Sequence, residues 1–320
     1  MARVAFLDTV HDVLRERLTA AGMDCVHAEA MSRDDVLAGA LSTCNGIVLR
    51  SRLTVDAALL DALPALEWVA RSGAGLDNID VAEAERRGVR VISSPEGNAT
   101  AVGEHAVGQL LALLHKLTRA DQHVRGGGWD REGHRGLELE ARTVGIIGFG
   151  NMGQSFARCL RGFGCRVLAY DKYISGFAGE YGVEECSLDE LLQSADVVSL
   201  HVPLTAETRG MVNAQWLAEF AQPFFLLNTA RGEVVNTEAV LDALDNGQLA
   251  GAALDVLEFE KRSLEGLAER PAALQRLLEH PRTVLSPHVA GWSVESYFKL
   301  SNVLADKILN HRAKKIPSGG

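Results

Sequence analysis

Three polar groups sit just past apolar runs in the second half of this chain. Arg231 follows Asn228-Thr229-Ala230; Asp255 ends Gly251-Ala252-Ala253-Leu254, with Glu260 five positions on; His288 follows Leu285-Ser286-Pro287. An arginine can grip a carboxylate with its planar fork. A histidine titrates near neutrality and can take or return a hydroxyl proton. A carboxylate can orient that imidazole and favour its protonated form. Singly, each has an ordinary explanation: a surface or capping arginine, a solvated loop at 258–262, a structural histidine after Ser-Pro. As a set, they form a usable site for hydride transfer, if something supplies the hydride.

The glycine run Gly148-Phe149-Gly150-Asn151-Met152-Gly153 points to the supplier. It follows an apolar run at 143–147 that reads as a buried strand, and precedes a stretch from Ser155 that continues as helix. A second apolar run at 166–170 ends in Asp171, eighteen positions after Gly153. In a strand–turn–helix–strand–acid order, glycines let backbone approach a pyrophosphate and the helix N-terminus offers free N–H groups. Asp171 can accept both hydroxyls of an adenosine ribose, and a carboxylate there repels a 2′-phosphate. The pattern predicts dinucleotide binding, with NAD preferred over NADP; Lys172 next door could soften that preference.

The elements around these residues alternate. Apolar runs at 4–7, 46–49, 68–71 and 89–92 read as strands, with helices at 11–21 and 55–63. The turn-rich segment 93–98 reads as a hinge, and apolar spacing through Val102, Ala106, Leu110, Leu113 and Leu117 predicts one helix over 99–119. An irregular excursion over 125–136 carries Trp129. Alternation resumes with strands at 143–147, 166–170, 197–200, 224–227, 250–254 and 283–285, and a helix over 294–311 precedes a tail expected to fray. The predicted fold class is α/β: two doubly wound parallel-sheet, Rossmann-like domains with a cleft between them.

The chain has 320 residues, 47% of them hydrophobic, and a formal net charge of −10. That length suits two domains. The acidic balance argues against a nucleic-acid or membrane-surface partner. The five cysteines, at 25, 44, 159, 165 and 186, have no metal-like spacing, so no metal is expected and a reducing, cytoplasmic setting is. No stretch approaches the length of a membrane span, and the start of the chain reads as a first strand rather than a signal peptide.

Segments 71–80, 98–105, 143–153, 201–205, 228–232, 251–255 and 286–291 together resemble the D-isomer-specific 2-hydroxyacid dehydrogenase family, nearest to its D-3-phosphoglycerate dehydrogenase branch. The resemblance runs over almost the whole length. It implies that Arg231 binds the substrate carboxylate, that His288 is the acid/base and that Glu260 is its partner. It implies that the backbone of Ser72, Gly73, Ala74 and Gly75 helps hold that carboxylate. Val102, Gly148, Gly150, Asn151, Met152, Gly153, Asp171, His201, Val202, Pro203, Thr208, Thr229, Ala230, Arg231, Asp255, His288 and Gly291 would line NAD. Residues 1–97 with 290–320 would form the substrate domain, and 98–289 the NAD domain, through which a homodimer would form with the 125–142 excursion reaching across.

Departures from the family pattern set further expectations. Lys261 stands where proline commonly follows the catalytic glutamate, leaving the choice between Glu260 and Glu258 open. Trp292 is bulky where many relatives are small. The chain ends at Gly320, so serine feedback through a C-terminal regulatory domain is not expected. The function expected is NAD-linked interconversion of a small D-2-hydroxy acid and its 2-keto acid, 3-phosphoglycerate to 3-phosphohydroxypyruvate first. Arg50 and Arg71 lie near strand ends and could meet a phosphate, since Arg231 is committed to the carboxylate. A glyoxylate or hydroxypyruvate reductase and an NAD-sensing corepressor-like scaffold are the alternatives.

Overall fold

The computed structural model describes residues 1–260 and 271–315 and divides into two compact units, Met1–Asn98 with Trp292–Gly320, and Ala99–Gly291. Lys261 and the tail expected to fray lie outside the described residues.

The first unit runs β1 (Arg3–Phe6), α1 (Val13–Ala20), β2 (Asp24–His27), α2 (Arg33–Leu37), β3 (Gly46–Leu49), α3 (Ala57–Asp61), β4 (Trp68–Arg71), α4 (Val81–Arg86) and β5 (Arg90–Ser93). Its sheet is parallel, in the order β2-β1-β3-β4-β5. The reversal of strand order lies between β1 and β3, where a doubly wound sheet opens a crevice at its carboxyl edge. Asp8 and Arg50 follow those two strands, and the Arg50 amide donates to Asp8 Oδ2 at 2.6 Å. One face of the sheet packs Leu41, Leu59 and Leu60 against Ile47 and Val69. The other packs Leu14 and Leu18 with Leu304 and Ile308, which belong to the last helix.

The second unit runs α5 (Ala99–Leu114), α6 (Leu117–Arg125), β6 (Thr143–Ile147), α7 (Asn151–Leu160), β7 (Arg166–Tyr170), α8 (Ala178–Tyr181), β8 (Glu184–Glu185), α9 (Leu188–Ser194), β9 (Val197–Leu200), α10 (Ala214–Ala218), β10 (Phe224–Asn228), α11 (Thr237–Asn246), β11 (Leu249–Leu254), α12 (Ala272–Glu279) and β12 (Thr283–Leu285). α13 (Val294–Lys315) returns to the first unit. The second sheet is also parallel, in the order β12-β11-β10-β9-β6-β7-β8. Its reversal lies between β6 and β9, so the glycine run after β6 and His201 after β9 meet at the switch point. α5 packs on α7 closely enough that a Cβ on Gly103 would lie 2.7 Å from Ser155 Oγ.

The structure differs from the expected elements in three respects. The helix expected over 99–119 is two helices: α5 ends at Leu114, Lys116 takes a positive φ of 54°, and α6 restarts at Leu117. The apolar spacing misled because Leu117 is 54% exposed and α6 buries no residue. Strand β2 was missed because it is an edge strand with half-exposed, partly charged residues and no apolar run. Several missed helices are short and begin at polar caps, as α2 does at Ser32 and α9 at Ser187, each with a reciprocal capping box. Among the described residues no helix is long and apolar enough to cross a membrane, and no group of three histidine, cysteine or acidic side chains could hold a metal ion.

Candidate active site

The glycine loop is built by close approach. Gly148 has φ +91°, and a Cβ there would lie 2.6 Å from the His201 carbonyl oxygen. A Cβ on Gly153 would run into the Gly148 carbonyl oxygen. Any side chain at either position would push the loop off β9 or off its own helix. Gly150, which precedes α7, faces open space. Asn151 is exposed and Met152 half-buried, so the free amides of the first turn of α7 border that space. Asp171 holds the loop from the side: its Oδ2 accepts from the Phe149 amide at 2.7 Å, and its Oδ1 from the amides of Tyr173 and Ile174.

Beyond β9 and β10 the polar groups are buried and incompletely used. His201 Nε2 sits 2.9 Å from Ser199 Oγ. Its Nδ1, like Thr229 Oγ1, is buried with no hydrogen-bond partner among the described residues. Burial pushes the His201 imidazole down to about 3, so the ring is neutral at physiological pH. Thr208 Oγ1 donates to the Pro203 carbonyl and accepts from the Thr205 amide, closing the loop after Val202. Val102 is buried on α5. Orphaned polar atoms at two strand ends, beside a glycine cradle with open space, fit a dinucleotide.

The proton-handling residues are assembled on the neighbouring strands. Asn228 is fully buried at the end of β10. Its side chain accepts from the Ala230 amide and donates to the Arg231 carbonyl, fixing the loop that carries Arg231. A Cβ on Gly232 would run into the Leu257 carbonyl oxygen, so this loop rests directly on the 257–260 turn. Within that turn Glu258 accepts from the Thr237 amide at 2.8 Å, at the start of α11. Glu260 accepts from the Leu257 amide with Oε1 and meets His288 Nδ1 with Oε2 at 3.0 Å. The hydrogen bond that His288 donates to Glu260 raises the His288 pKa, against opposing effects of desolvation and the Arg231 charge. His288 also has a positive φ of 55°, a conformation that costs a non-glycine residue energy and persists where surrounding contacts impose it.

Asp255 supplies those contacts. Its carboxylate is 1% exposed. Oδ1 accepts from Ser286 Oγ at 2.5 Å and from the Val289 amide at 2.9 Å, and Oδ2 accepts from the Ala290 amide at 2.8 Å. The Asp255 carbonyl takes the His288 amide itself at 2.8 Å. Expected as one of the strand-end polar groups and, by the resemblance, as a cofactor-lining residue, Asp255 is the buried post around which the histidine loop is wrapped. Sequence reasoning missed its support. His105 Nε2 and Gln109 Nε2 both meet Ser286 Oγ, at 3.0 and 2.9 Å, from successive turns of α5. The polar pair at i and i+4 on the largely apolar α5 was the available signal.

In the first unit, Arg71 Nε donates to the Arg50 carbonyl. The Arg71 guanidinium lies against Gly73, where a Cβ would collide with Nη1. Ser72 and Gly73 are buried; Ala74 and Gly75 are half-buried. The Arg50 guanidinium lies over the Trp292 ring at 4.3 Å, a stacking that leaves the N–H edge of the fork available. Arg52 is structural: it donates to the carbonyls of Leu7 and Met31 and pairs with Asp8.

Residues 107–290 match the family model of the D-isomer specific 2-hydroxyacid dehydrogenase NAD-binding domain. The D-3-phosphoglycerate dehydrogenase of Bacillus subtilis is 34% identical over 278 residues, 87% of this chain and 51% of that protein. The chain thus spans about half the length of the curated relatives it matches. A solved glyoxylate reductase from Paecilomyes thermophila superposes with a TM-score of 0.85 at 25% identity, over 97% of this chain and 94% of the other. The Aquifex aeolicus D-lactate dehydrogenase, solved with NAD and lactic acid, gives 0.79 at 27% identity, over 98% and 95%.

Proposed function

The chain belongs to the D-isomer specific 2-hydroxyacid dehydrogenase family, and on that premise we propose that it is an NAD-dependent oxidoreductase interconverting a D-2-hydroxy acid and its 2-keto acid. The His288–Glu260 pair at 3.0 Å carries this reading. NAD, when bound, accepts or returns the hydride. Gly148, Gly150, Asn151, Met152, Gly153 and Asp171 would hold it, with His201, Val202, Pro203, Thr208, Thr229, Ala230 and Gly291 along the strand ends. In oxidation, His288 Nε2 takes the hydroxyl proton while Arg231 holds the carboxylate. In reduction, the imidazolium returns that proton to the carbonyl oxygen. Glu260, on Nδ1, keeps the ring oriented and favours the charged form. The test is an absorbance assay of NADH turnover against a panel of phosphorylated and unphosphorylated 2-keto acids. Turnover of none would reject the enzyme reading and favour a nucleotide-sensing scaffold.

Within that class, we propose a phosphorylated substrate, 3-phosphoglycerate first, with Arg50 and Arg71 receiving the phosphate and the Ser72–Gly75 backbone helping with the carboxylate. The Arg50 guanidinium, braced on the Trp292 ring, supports this choice. Arg50→Ala should raise KM for 3-phosphoglycerate by roughly 10- to 100-fold, the loss of one charge-assisted contact of about 1.5–3 kcal/mol. Turnover of an unphosphorylated 2-keto acid should change little. Equal losses on both substrates would defeat the assignment. The exposed indole of Trp292, and the likeness to a glyoxylate reductase, favour an unphosphorylated 2-keto acid as the second reading.

We also propose a homodimer through the second unit. Trp129 is 81% exposed, and Leu117 and Val124 are exposed on α6, which buries no residue of its own. Aromatic side chains left in water on such a surface suit an interface. Light scattering at micromolar concentration should give twice the chain mass, and Trp129→Ala should shift it toward one. A wild-type monomer would reject the proposal.

A further inference from the structure

Asp171 follows β7, and the next residue, Lys172, is a cation in the place where a 2′-phosphate on the ribose would look for one. Its ammonium is engaged elsewhere: Nζ lies 2.8 Å from Glu207 Oε2. The Tyr173 hydroxyl donates to the same oxygen at 2.8 Å, and the ammonium stands 5.6 Å from the Tyr173 ring centre. Glu207 is carried by the turn after β9, which is fixed independently. Thr205 and Thr208 bond reciprocally, Thr208 Oγ1 donates to the Pro203 carbonyl, and the Arg209 amide donates to Thr205. One carboxylate from the far side of the switch point therefore collects both polar side chains that follow Asp171.

Exposed ion pairs of this kind add little to stability. Lys172 and Glu207 are both more than half exposed, so stability gives little reason for the clamp. Specificity is a difference of affinities and is often built by disabling the contact a competitor would use. We propose that Glu207 is a cofactor-selectivity residue: by holding Lys172 and Tyr173 it withholds the lysine from a 2′-phosphate. This inference rests on the dinucleotide reading of the glycine loop and extends it to a residue outside every nucleotide motif of the chain. NAD preference is then the joint work of Asp171, which repels the phosphate, and Glu207, which keeps the neighbouring cation from rescuing it.

The test uses the whole chain and two small probes, 5′-AMP and adenosine 2′,5′-bisphosphate, with dissociation constants from calorimetry at low ionic strength. Glu207→Gln should tighten the bisphosphate about fivefold, the factor that 1 kcal/mol commands, and leave 5′-AMP nearly unchanged. The gain should vanish in Glu207→Gln/Lys172→Gln and fade with added salt, because exposed charges are screened. The kcat/KM ratio of NADPH to NADH should follow the same order. An unchanged bisphosphate-to-AMP ratio in Glu207→Gln, or a gain that survives loss of Lys172, overturns the proposal while the nucleotide site stands. A wild-type chain that binds neither AMP nor NADH overturns the nucleotide reading and this proposal with it.

Discussion

Replacing His288 with glutamine should lower kcat by roughly 10²–10⁴-fold, the usual contribution of a positioned acid/base, and leave NADH binding within about twofold by fluorescence titration. The expectation follows from the ring's position. Nδ1 is engaged by Glu260 at 3.0 Å, which leaves Nε2 to meet substrate. Near-normal kcat would remove His288 from the chemistry. Glu260→Gln gives the accompanying pH signature. The folded-state pKa of His288 is raised, first by the hydrogen bond it donates to Glu260. The protonated form needed for reduction therefore persists above the ordinary histidine range, and reductive activity falls only as pH rises through the raised value. Without the carboxylate that fall should move to lower pH, and the oxidative limb, which needs the neutral ring, should move the same way. The pair's contribution to stability has the same sign, being complete below the unfolded pKa and lost as pH climbs through the folded one. Glu258→Gln should leave both limbs in place, because Glu258 binds the Thr237 amide. A shift seen in Glu258→Gln and not in Glu260→Gln would reverse the assignment.

Removing the Asp255 carboxylate should produce the second large effect, on folding and activity together. Asp255→Ala leaves Ser286 Oγ and the amides of Val289 and Ala290 without their acceptor in a site that is 1% exposed. Unsatisfied buried donors cost about 1–3 kcal/mol each, so a loss of about 3 kcal/mol or more is expected. For a unit of this size that is a fall in Tm on the order of 10 °C. In the fraction that stays folded, kcat should drop more than KM rises, because the loop no longer holds His288 at its positive φ. Ser286→Ala keeps the two amide contacts and should reproduce the kinetic effect in milder form. An Asp255→Ala chain with wild-type Tm and kcat would show that the loop holds itself.

Much of this site was legible in the amino-acid sequence. Buried parallel strands read as unbroken apolar runs, so the strands beneath the glycine loop, Arg231 and His288 stood out, and glycines obliged to meet backbone carry a signature of their own. Features that depend on solvent-facing or capping residues were not legible. β2 and the break at Lys116 have no apolar pattern to mark them. Nor could spacing separate Glu258 from Glu260, which share one loop, or find His105 and Gln109, whose partner Ser286 lies about 180 residues away.

The sequence by itself determined the local chemistry: a glycine turn between a buried strand and a helix, an acid at the next strand's end, and an arginine, a glutamate and a histidine beyond later strands. Those follow from residue type and from spacings of a few positions, where chain geometry leaves little freedom. Tertiary structure decided the pairings. It gave Glu258 to the Thr237 amide and Glu260 to His288, laid Arg50 across Trp292 and spent Arg52 on backbone carbonyls. It buried Asp255 as the support of the histidine loop and turned Glu207 toward Lys172. Each of these joins residues from separate elements of the fold. Which side chains meet there depends on the order in which the strands pair, and strand order is set by packing the whole sheet between its two layers of helices.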